Sequence, residues 1–374
     1  MQKGTILYMG NFELPDKNAA AHRVMNNSKI FRELGYNVAF LGTVRDERFD
    51  GIRRSDYDKN IFEEAYPVGT KQWVKHIFDT TNILALAKLY DDVRLVIVYN
   101  TPFATFKAVK KAFSKEGIKV AYDCTEWNSF AEGSLPKRLY KKFDETQIRN
   151  RLHKKCDDII VISKLMESKY NSANLLRLPP LVDLDDPIWH QEVTKDAEVF
   201  EFCFAAGSIS NKEKLDIVVS AFSKLDDKKI RFKIVGITKE EYLLAYPLHK
   251  DIVENDLRIT FTGMMTHEDA VKSVLMCDCY IFIRESNTRN EAGFPTKFAE
   301  SFTCGVPIIS TNVSDIKDFA DEKVCLLAGV CEQTIVEAMK EASDKFENNG
   351  CLRNSFDYRQ YLLATKSWLN EVFK

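Results

Sequence analysis

The chain has 374 residues, enough for two domains of ordinary size, and it is 45% apolar and 29% charged, so it can bury hydrophobic cores. Its net charge of -2 conceals an asymmetry, since residues 1–182 carry 30 Lys and Arg against 22 Asp and Glu, and residues 183–374 carry 23 against 33. No apolar stretch approaches the roughly 20 residues that span a bilayer, so no transmembrane helix is expected.

The N-terminus and the cysteines both predict a protein of the reducing cytoplasm. The first apolar stretch, within "MQKGTILYMGNF", is too short for a secretion signal. The nine cysteines are odd in number, and the closely spaced Cys277 and Cys279 have no second pair at zinc spacing. We therefore predict free thiols in a soluble, cytoplasmic protein.

Short apolar runs alternate with helical patterns along the first half. The predicted strands are residues 5–10, 37–42, 94–100, 118–123 and 158–163. The predicted helices are residues 18–35, which end at Gly35, 101–117 and 136–155. Runs that are apolar throughout are typical of parallel strands buried on both faces.

The second half repeats this alternation. Its predicted strands are residues 200–207, 231–236, 258–263, 279–284 and 306–311. Its predicted helices are residues 212–225, 239–246, 267–276, one beginning near Pro295, and an amphipathic C-terminal helix over 356–374. Such alternation predicts βαβ units.

A proline-rich and acidic stretch, residues 177–198, is predicted to link the two halves. We therefore expect an α/β protein with two Rossmann-like, doubly wound parallel-sheet domains that face a cleft. The predicted domains are 1–182 and 183–355, with residues 356–374 crossing back to the first. Ligands of such sheets bind beyond the carboxyl ends of the strands.

The stretch "NEAGFPTKFAES" follows a predicted strand and therefore lies at that edge. Gly293 permits close approach of the backbone, and Pro295 suits the first position of a helix. A helix start with Lys297 nearby favours an anion such as a diphosphate. Glu300, one turn deeper, is placed to accept hydrogen bonds from ribose hydroxyls. The alternative is a capped helix with a surface Lys–Glu pair.

"GFPTKFAESFTCGVPII" (293–309) resembles the donor-site signature of GT-B glycosyltransferases of family 4, in the version with a Pro-Thr-Lys helix start. Residues 156–166, 178–186, 211–222 and 258–283 also resemble segments of that family. The resemblance implies a GT-B fold and a nucleotide-sugar donor site. The candidate donor-binding residues are Gly207, Ser208, Lys212, Lys214, Arg284, Gly293, Phe294, Pro295, Thr296, Lys297 and Glu300.

The chain departs from the family pattern at three positions. Ala292 stands where the family has the first Glu of its signature, and Glu291 is one residue away. Ser208 stands in place of an Arg, and Glu213 in place of a Lys. Arg284, at a strand end, is a candidate to replace the missing charge, and its alternative role is a solvated strand end.

In the first half, the loop and helix start over 10–23 resemble the family's acceptor region. The candidate acceptor residues are Gly10, Asn11, Asn18 and Arg23, with Asn18 as a predicted helix cap. The segment "YDCTEW" resembles one that carries a catalytic side chain, so Asp123 or Glu126 is a candidate to orient or deprotonate an acceptor hydroxyl. The alternatives are a surface Arg23, a capping Asp123 and a surface Glu126.

Residues 137–155 carry eight Lys and Arg with apolar residues among them. This composition favours peripheral contact with an anionic membrane, or else a solvated basic face. No nucleic-acid module is present, and no nucleic-acid partner is expected.

The predicted function is retaining transfer of a sugar from a nucleoside diphosphate donor, UDP-linked in the first instance. The expected acceptor is a lipid-linked glycan in surface polysaccharide synthesis. The resemblance implies no metal cofactor, and the "DLD" at 183–185 lies in the predicted linker. The alternatives are a nucleotide-sugar epimerase of the same architecture, or a non-catalytic partner subunit of a glycosyltransferase complex.

Overall fold

The computed structural model describes residues 2–127, 135–171, 173–209, 212–346 and 350–374. The chain divides into two compact units. The first consists of Met1–Leu181 with Asp357–Lys374, and the second consists of Val182–Phe356.

The first unit consists mainly of strands that alternate with helices. In chain order its elements are β1 (Thr5–Gly10), α1 (Ala19–Glu33), β2 (Asn37–Val44), β3 (Arg53–Arg54), β4 (Ile61–Ala65), α2 (Gly69–Phe78), α3 (Thr81–Ala87), β5 (Val93–Tyr99), α4 (Phe103–Phe113), β6 (Lys119–Cys124), α5 (Leu135–Arg151), β7 (Asp158–Val161), α6 (Lys164–Lys169) and β8 (Asn174–Arg177).

These strands form one sheet in the order β3-β4-β2-β1-β5-β6-β7-β8. Every pair of neighbours is parallel except the short β3 with β4. The order reverses between β1 and β5, and the two strands come close there. A Cβ on Gly10 would lie 2.6 Å from the carbonyl oxygen of Tyr99, so only glycine fits at the end of β1.

The second unit is built in the same way. Its elements are β9 (Phe200–Ala205), α7 (Leu215–Ser223), β10 (Ile230–Val235), α8 (Lys239–Ala245), α9 (Lys250–Asn255), β11 (Ile259–Phe261), α10 (His267–Met276), β12 (Cys279–Phe282), α11 (Thr288–Ala292), α12 (Thr296–Thr303), β13 (Ile308–Thr311), β14 (Val324–Leu327) and α13 (Glu332–Lys345). The last helix of the chain, α14 (Leu362–Val372), packs in the first unit against α1 and β8.

The second sheet has the order β11-β10-β9-β12-β13-β14, and all its neighbours are parallel. This is the order of the doubly wound dinucleotide-binding fold, in which ligands bind where the strand order reverses. The reversal falls between β9 and β12. The carboxyl ends of these two strands therefore define the place to examine for a ligand site.

Local sequence explains several boundaries. The side chain of Asn18 accepts a hydrogen bond from the Ala21 N–H and caps α1, as predicted. Gly35 follows α1 at φ 92°, a conformation that suits glycine after a helix end. Gly305 ends α12 at φ 74°, where a Cβ would lie 1.9 Å from the Cys351 carbonyl oxygen.

The predicted strands and helices are confirmed as elements, with boundaries shifted by a few residues. The prediction missed four strands, β3, β4, β8 and β14, and six helices, α2, α3, α6, α9, α11 and α13. Cys277 and Cys279 are buried free thiols, as expected. Across the described ranges, no helix combines the length and the apolar character that a bilayer span requires.

Candidate functional site

The ends of β9 and β12 are joined by the segment that leads into α7. The N–H of Lys214 donates to the carbonyl oxygen of Ile283 at 2.9 Å, and Glu213 forms an isolated β-bridge with Arg284. On the other side, the backbone N–H of Arg284 donates to the Thr311 hydroxyl oxygen at 2.9 Å. The backbone around Arg284 is thus held from both neighbours at the point where the strand order reverses.

Three charged side chains meet at this point, and we call them the donor-side cluster: Glu213, Arg284 and Lys297. A carboxylate oxygen of Glu213 lies 2.5 Å from Nη2 of Arg284 and 3.4 Å from Nζ of Lys297. The side chains are 6%, 13% and 24% exposed, respectively, so the cluster is shielded but open at Lys297. Two cations share one carboxylate, which leaves a surplus positive charge.

Lys297 lies in the first turn of α12, and its ammonium lies 5.2 Å from the centre of the Phe204 ring at the end of β9. Burial lowers the pKa of Lys297 and Arg284 adds to that shift, whereas the carboxylates of Glu213 and Glu300 oppose it. Pro295, predicted as the first helical residue, is instead the cap residue of α12, which begins one position later at Thr296. The first-turn N–H groups of α12 add positive partial charge beside Lys297.

Glu300 is one turn further along α12. Its carboxylate lies 3.3 Å from Nε2 of His267, and both side chains are partly exposed. Glu291 has a different environment, because it accepts hydrogen bonds from the Ser286 hydroxyl at 2.7 Å and the Ser314 N–H at 3.0 Å. Ala292, where the family pattern has Glu, is buried. Glu291 therefore ties α11 to the loop after β13.

The remaining predicted donor residues divide by exposure. Gly207 and Ser208 are exposed after β9, and Lys212 and Thr296 are partly exposed. Lys214 forms an ion pair with the exposed Glu285 at 2.9 Å.

Phe294 and Pro295, by contrast, are buried. The Phe294 ring packs against Phe319 and Phe356, with centroids 5.6 and 5.7 Å away. Gly293 has φ -80°, which any residue adopts, and its carbonyl oxygen accepts a hydrogen bond from the Ser314 hydroxyl. These three residues hold the start of α12 in place, with Phe294 as its anchor in the core.

In the first unit, Asp123 and Arg23 form a buried pair. The Asp123 carboxylate is inaccessible to solvent and lies 2.8 Å from Nη2 of Arg23, which is 5% exposed. Arg23 Nη1 also donates to the Leu178 carbonyl oxygen at 2.9 Å, and the Tyr8 hydroxyl donates to Asp123. Burial and the charge of Asp123 raise the pKa of Tyr8 well above its ordinary value, so the phenol stays protonated. The arrangement joins β1, β6, α1 and the end of β8.

The other predicted residues of the first unit are more accessible, apart from Gly10, which is buried at the end of β1. Asn11 is exposed, and Asn18 and Glu126 are partly exposed. Trp127 is buried, and its indole N–H donates to the Tyr170 hydroxyl oxygen at 3.2 Å. The catalytic and acceptor roles of these residues stay predictions.

The sequence did not predict the contacts that organise the donor-side cluster and the buried pair of Asp123 and Arg23. Glu213 was noted only as a departure from a pattern, and nothing in its sequence context indicates that Arg284 and Lys297 both reach it. Tyr8 and His267 were missed altogether, because each belongs to a regular strand or helix pattern. The one feature of the sequence that indicated this cluster is a charged residue, Arg284, at the end of a buried strand.

Solved structures of similar fold define the class. Sucrose-phosphate synthase from Thermosynechococcus elongatus superposes with a TM-score of 0.74 at 12% identity, covering 99% of each chain. HepE from Anabaena, solved with UDP and glucose, gives 0.67 at 14% identity, covering 98% of this chain and all of the other. A glycosyltransferase from Rickettsia africae gives 0.69 at 13% identity over both full chains. The predicted GT-B fold with two Rossmann-like domains is thus confirmed.

The sequence comparison then specifies the second unit. Residues 185–362 match the family model described as glycosyl transferases group 1. This match covers just under half of the chain and includes the donor-side cluster. The protein therefore carries a glycosyltransferase group 1 domain and is a glycosyltransferase. A comparison with curated proteins found no match.

Proposed function

We propose that this protein transfers a sugar from a UDP-linked donor to a glycan acceptor, with retention of anomeric configuration, as a family 4 enzyme with a GFPTK-type helix start. The observation that carries the proposal is the donor-side cluster, which places a surplus positive charge at the reversal point of the second sheet. The structure of HepE with UDP and glucose supports the choice of UDP as the first donor to examine.

The geometry suits departure of a diphosphate. When the bond at the anomeric carbon breaks, negative charge develops on the leaving diphosphate while the sugar becomes oxocarbenium-like. Arg284, Lys297 and the first-turn N–H groups of α12 provide fixed positive charge for that anion. Lys212, Lys214 and the exposed backbone at Gly207 and Ser208 are assigned to the same site. Glu300 is assigned to the ribose hydroxyls.

We propose that no metal cofactor takes part, because the side-chain cations already supply charge to the diphosphate. Asp183 of the "DLD" sequence accepts a hydrogen bond from the Asp185 N–H in a local turn. Turnover should therefore be unchanged by EDTA. Loss of turnover in EDTA that Mg²⁺ or Mn²⁺ restores would contradict this part of the proposal.

On the acceptor side, Glu126 is the better candidate to orient or deprotonate the acceptor hydroxyl, because it is partly exposed whereas Asp123 is sealed. Asp123 and Arg23 are assigned a positioning role, which holds the strand end that presents Glu126. Asn11 and Asn18, with the backbone at Gly10, are assigned to the acceptor region. Glu126→Gln should lower kcat more than it raises the donor KM, and an unchanged kcat would refute the assignment.

We propose that the acceptor is lipid-linked, in surface polysaccharide synthesis, and that the first unit contacts the cytoplasmic face of an anionic membrane. On α5, the exposed Leu135, Leu139 and Phe143 are spaced four apart. The exposed Arg138 and Lys142 lie beside that stripe on the helix surface. Apolar side chains flanked by cations are typical of helices that lie in a membrane interface.

Helix α2 extends this surface. The Trp73 ring of α2 contacts Tyr140 of α5, with centroids 4.9 Å apart, and Val74 and Phe78 of α2 are exposed. The test is cosedimentation with vesicles of phosphatidylcholine, with and without phosphatidylserine. Binding should require the anionic lipid and be lost in Leu139→Glu/Phe143→Glu, but not in the control Leu244→Glu, another exposed leucine. Equal binding by both variants would contradict the proposal.

The donor assignment is tested by thermal stabilisation of the purified protein with a panel of nucleoside diphosphates and nucleotide sugars. A ligand at 100 times its Kd adds about 2.7 kcal/mol to the free energy of unfolding. One nucleotide sugar should raise the Tm selectively, and the shift should be lost in Glu300→Ala but kept in Glu341→Ala, a control on the exposed face of α13. If no member of the panel shifts the Tm, the proposed transferase activity of this chain alone is refuted.

A further inference from the structure

The donor-side cluster contains an anion of its own. Glu213 reaches both cations that the proposed function assigns to the diphosphate, at 2.5 Å from Arg284 and 3.4 Å from Lys297. The three side chains come from three different segments: Glu213 precedes α7, Arg284 follows β12, and Lys297 opens α12. A carboxylate so placed lies where the phosphate oxygens of a bound diphosphate would interact.

The cations are not fully satisfied by this carboxylate. Nε of Arg284 is buried, and it finds no hydrogen-bond acceptor within the part of the chain that the structure describes. Lys297 has a lowered pKa, mainly because it is buried, and the nearby guanidinium of Arg284 adds to the shift. An anion with more acceptor oxygens than one carboxylate would therefore improve the environment of both groups.

We propose that Glu213 is an internal competitor of the donor diphosphate, which sets the affinity for the donor by holding Arg284 and Lys297 until the diphosphate replaces it. This inference rests on the proposed function, since it takes the same cluster as the donor site. It identifies Glu213 as a determinant of affinity that acts through the two cations.

The local backbone permits such an exchange. The Lys214 N–H is bonded to the Ile283 carbonyl oxygen, so the segment stays attached to β12 when the Glu213 side chain rotates. Lys214, next in sequence, holds its own exposed partner, Glu285, which the carboxylate exchange does not involve. Only the contacts of the Glu213 carboxylate have to be replaced by those of the ligand.

The experiment is calorimetric titration of wild type, Glu213→Gln and the control Glu341→Gln with UDP, inorganic pyrophosphate and uridine. Glutamine keeps the size and a hydrogen-bond acceptor for Arg284 but removes the competing charge. UDP and pyrophosphate should bind about tenfold more tightly to Glu213→Gln, the effect of removing one close charge–charge interaction. Uridine affinity should be unchanged. Glu341→Gln removes an equal charge from the exposed Lys345 pair, outside the cluster, and should leave UDP affinity unchanged.

Equal or weaker binding of UDP and pyrophosphate by Glu213→Gln would overturn the inference, because Glu213 would then be a structural counterion. If Glu213→Gln does not fold, Glu213→Asp serves instead, since it keeps the charge but withdraws it from the cations. That variant should show a smaller gain, and failure of both to fold would also assign Glu213 to structure. If the folded wild type and Glu213→Gln bind none of the three ligands, the proposed function itself fails, and the inference fails with it.

Discussion

The two units present the same pair of groups, an arginine and a carboxylate, near the carboxyl ends of their sheets, but in different surroundings. Asp123 and Arg23 are sealed, at 0% and 5% exposure. They are enclosed by Tyr8, Asn27 and the backbone after β8. Arg284 shares Glu213 with a second cation, Lys297, that is 24% exposed.

The difference lies in accessibility and charge balance. The sealed pair is neutral and fully enclosed, so it has no capacity left for a ligand. The donor-side cluster has one excess positive charge and an open side, so it can accept an anion. A buried ion pair contributes little net stability compared with apolar residues, yet removal of one partner is costly. The first pair is thus expected to control folding, and the second to control binding.

The largest expected effect comes from breaking the sealed pair. Asp123→Ala leaves the Arg23 guanidinium buried without its counterion, and the expected loss is about 3–5 kcal/mol in the free energy of unfolding. Urea denaturation followed by circular dichroism measures it. Glu341→Ala, which removes an exposed partner of Lys345, is the control and should leave the midpoint unchanged. A stable Asp123→Ala protein with lost activity would instead assign Asp123 a catalytic role.

The second prediction concerns the open cluster. Lys297→Ala should lower kcat by about 10²–10³-fold, because one fixed positive charge is removed from the leaving diphosphate. Its unfolding midpoint should change far less than that of Asp123→Ala. Steady-state transfer assays measure the change in kcat. Wild-type turnover in Lys297→Ala would remove the donor role from α12.

The smallest expected effect is a pH dependence. Because burial lowers the pKa of Lys297, its ammonium is lost at a lower pH than that of an ordinary lysine. Affinity for UDP should therefore already fall several-fold as the pH rises toward the ordinary lysine pKa of roughly 10.4. The Lys297→Arg variant keeps a positive charge at this position, so its affinity for UDP should not show this pH dependence.

The lowered pKa of Lys297 also determines how the free energy of unfolding changes with pH. Between the lowered pKa and the ordinary one, the unfolded chain binds more protons than the folded chain, so the Lys297 contribution to stability rises with pH. Titration of the unfolding free energy in wild type and Lys297→Arg measures it. An identical pH dependence of binding and stability in both proteins would contradict the assignment to Lys297.

The fold was largely predictable because most of its strands are short, mainly apolar runs. The run at 5–10 was predicted without error, and the helix over 267–276 likewise. The short strands β8 and β14 and the polar face of α13 escaped prediction, because partly buried elements have weaker periodicity. Strand order depends on long-range pairing, which one sequence does not reveal.

The site was less predictable. The prediction of Lys297 at a helix start is confirmed in position, because helix starts have local sequence rules. Phe294, predicted as a donor residue, lies in an aromatic cluster of the core, since the motif does not say which way a side chain points. The contact of Glu213 with two cations 71 and 84 positions away in sequence required the folded sheet.

The contrast between the sealed pair and the donor-side cluster is tested most directly by hydrogen–deuterium exchange, with and without the nucleotide sugar that stabilises the protein. Ligand binding should slow exchange in peptides at the ends of β9 and β12 and at the start of α12. Peptides that contain Tyr8, Arg23 and Asp123 should be slow to exchange in both states. Protection confined to the first unit, or none at saturating ligand, would contradict the assignment of donor binding to the cluster of Glu213, Arg284 and Lys297.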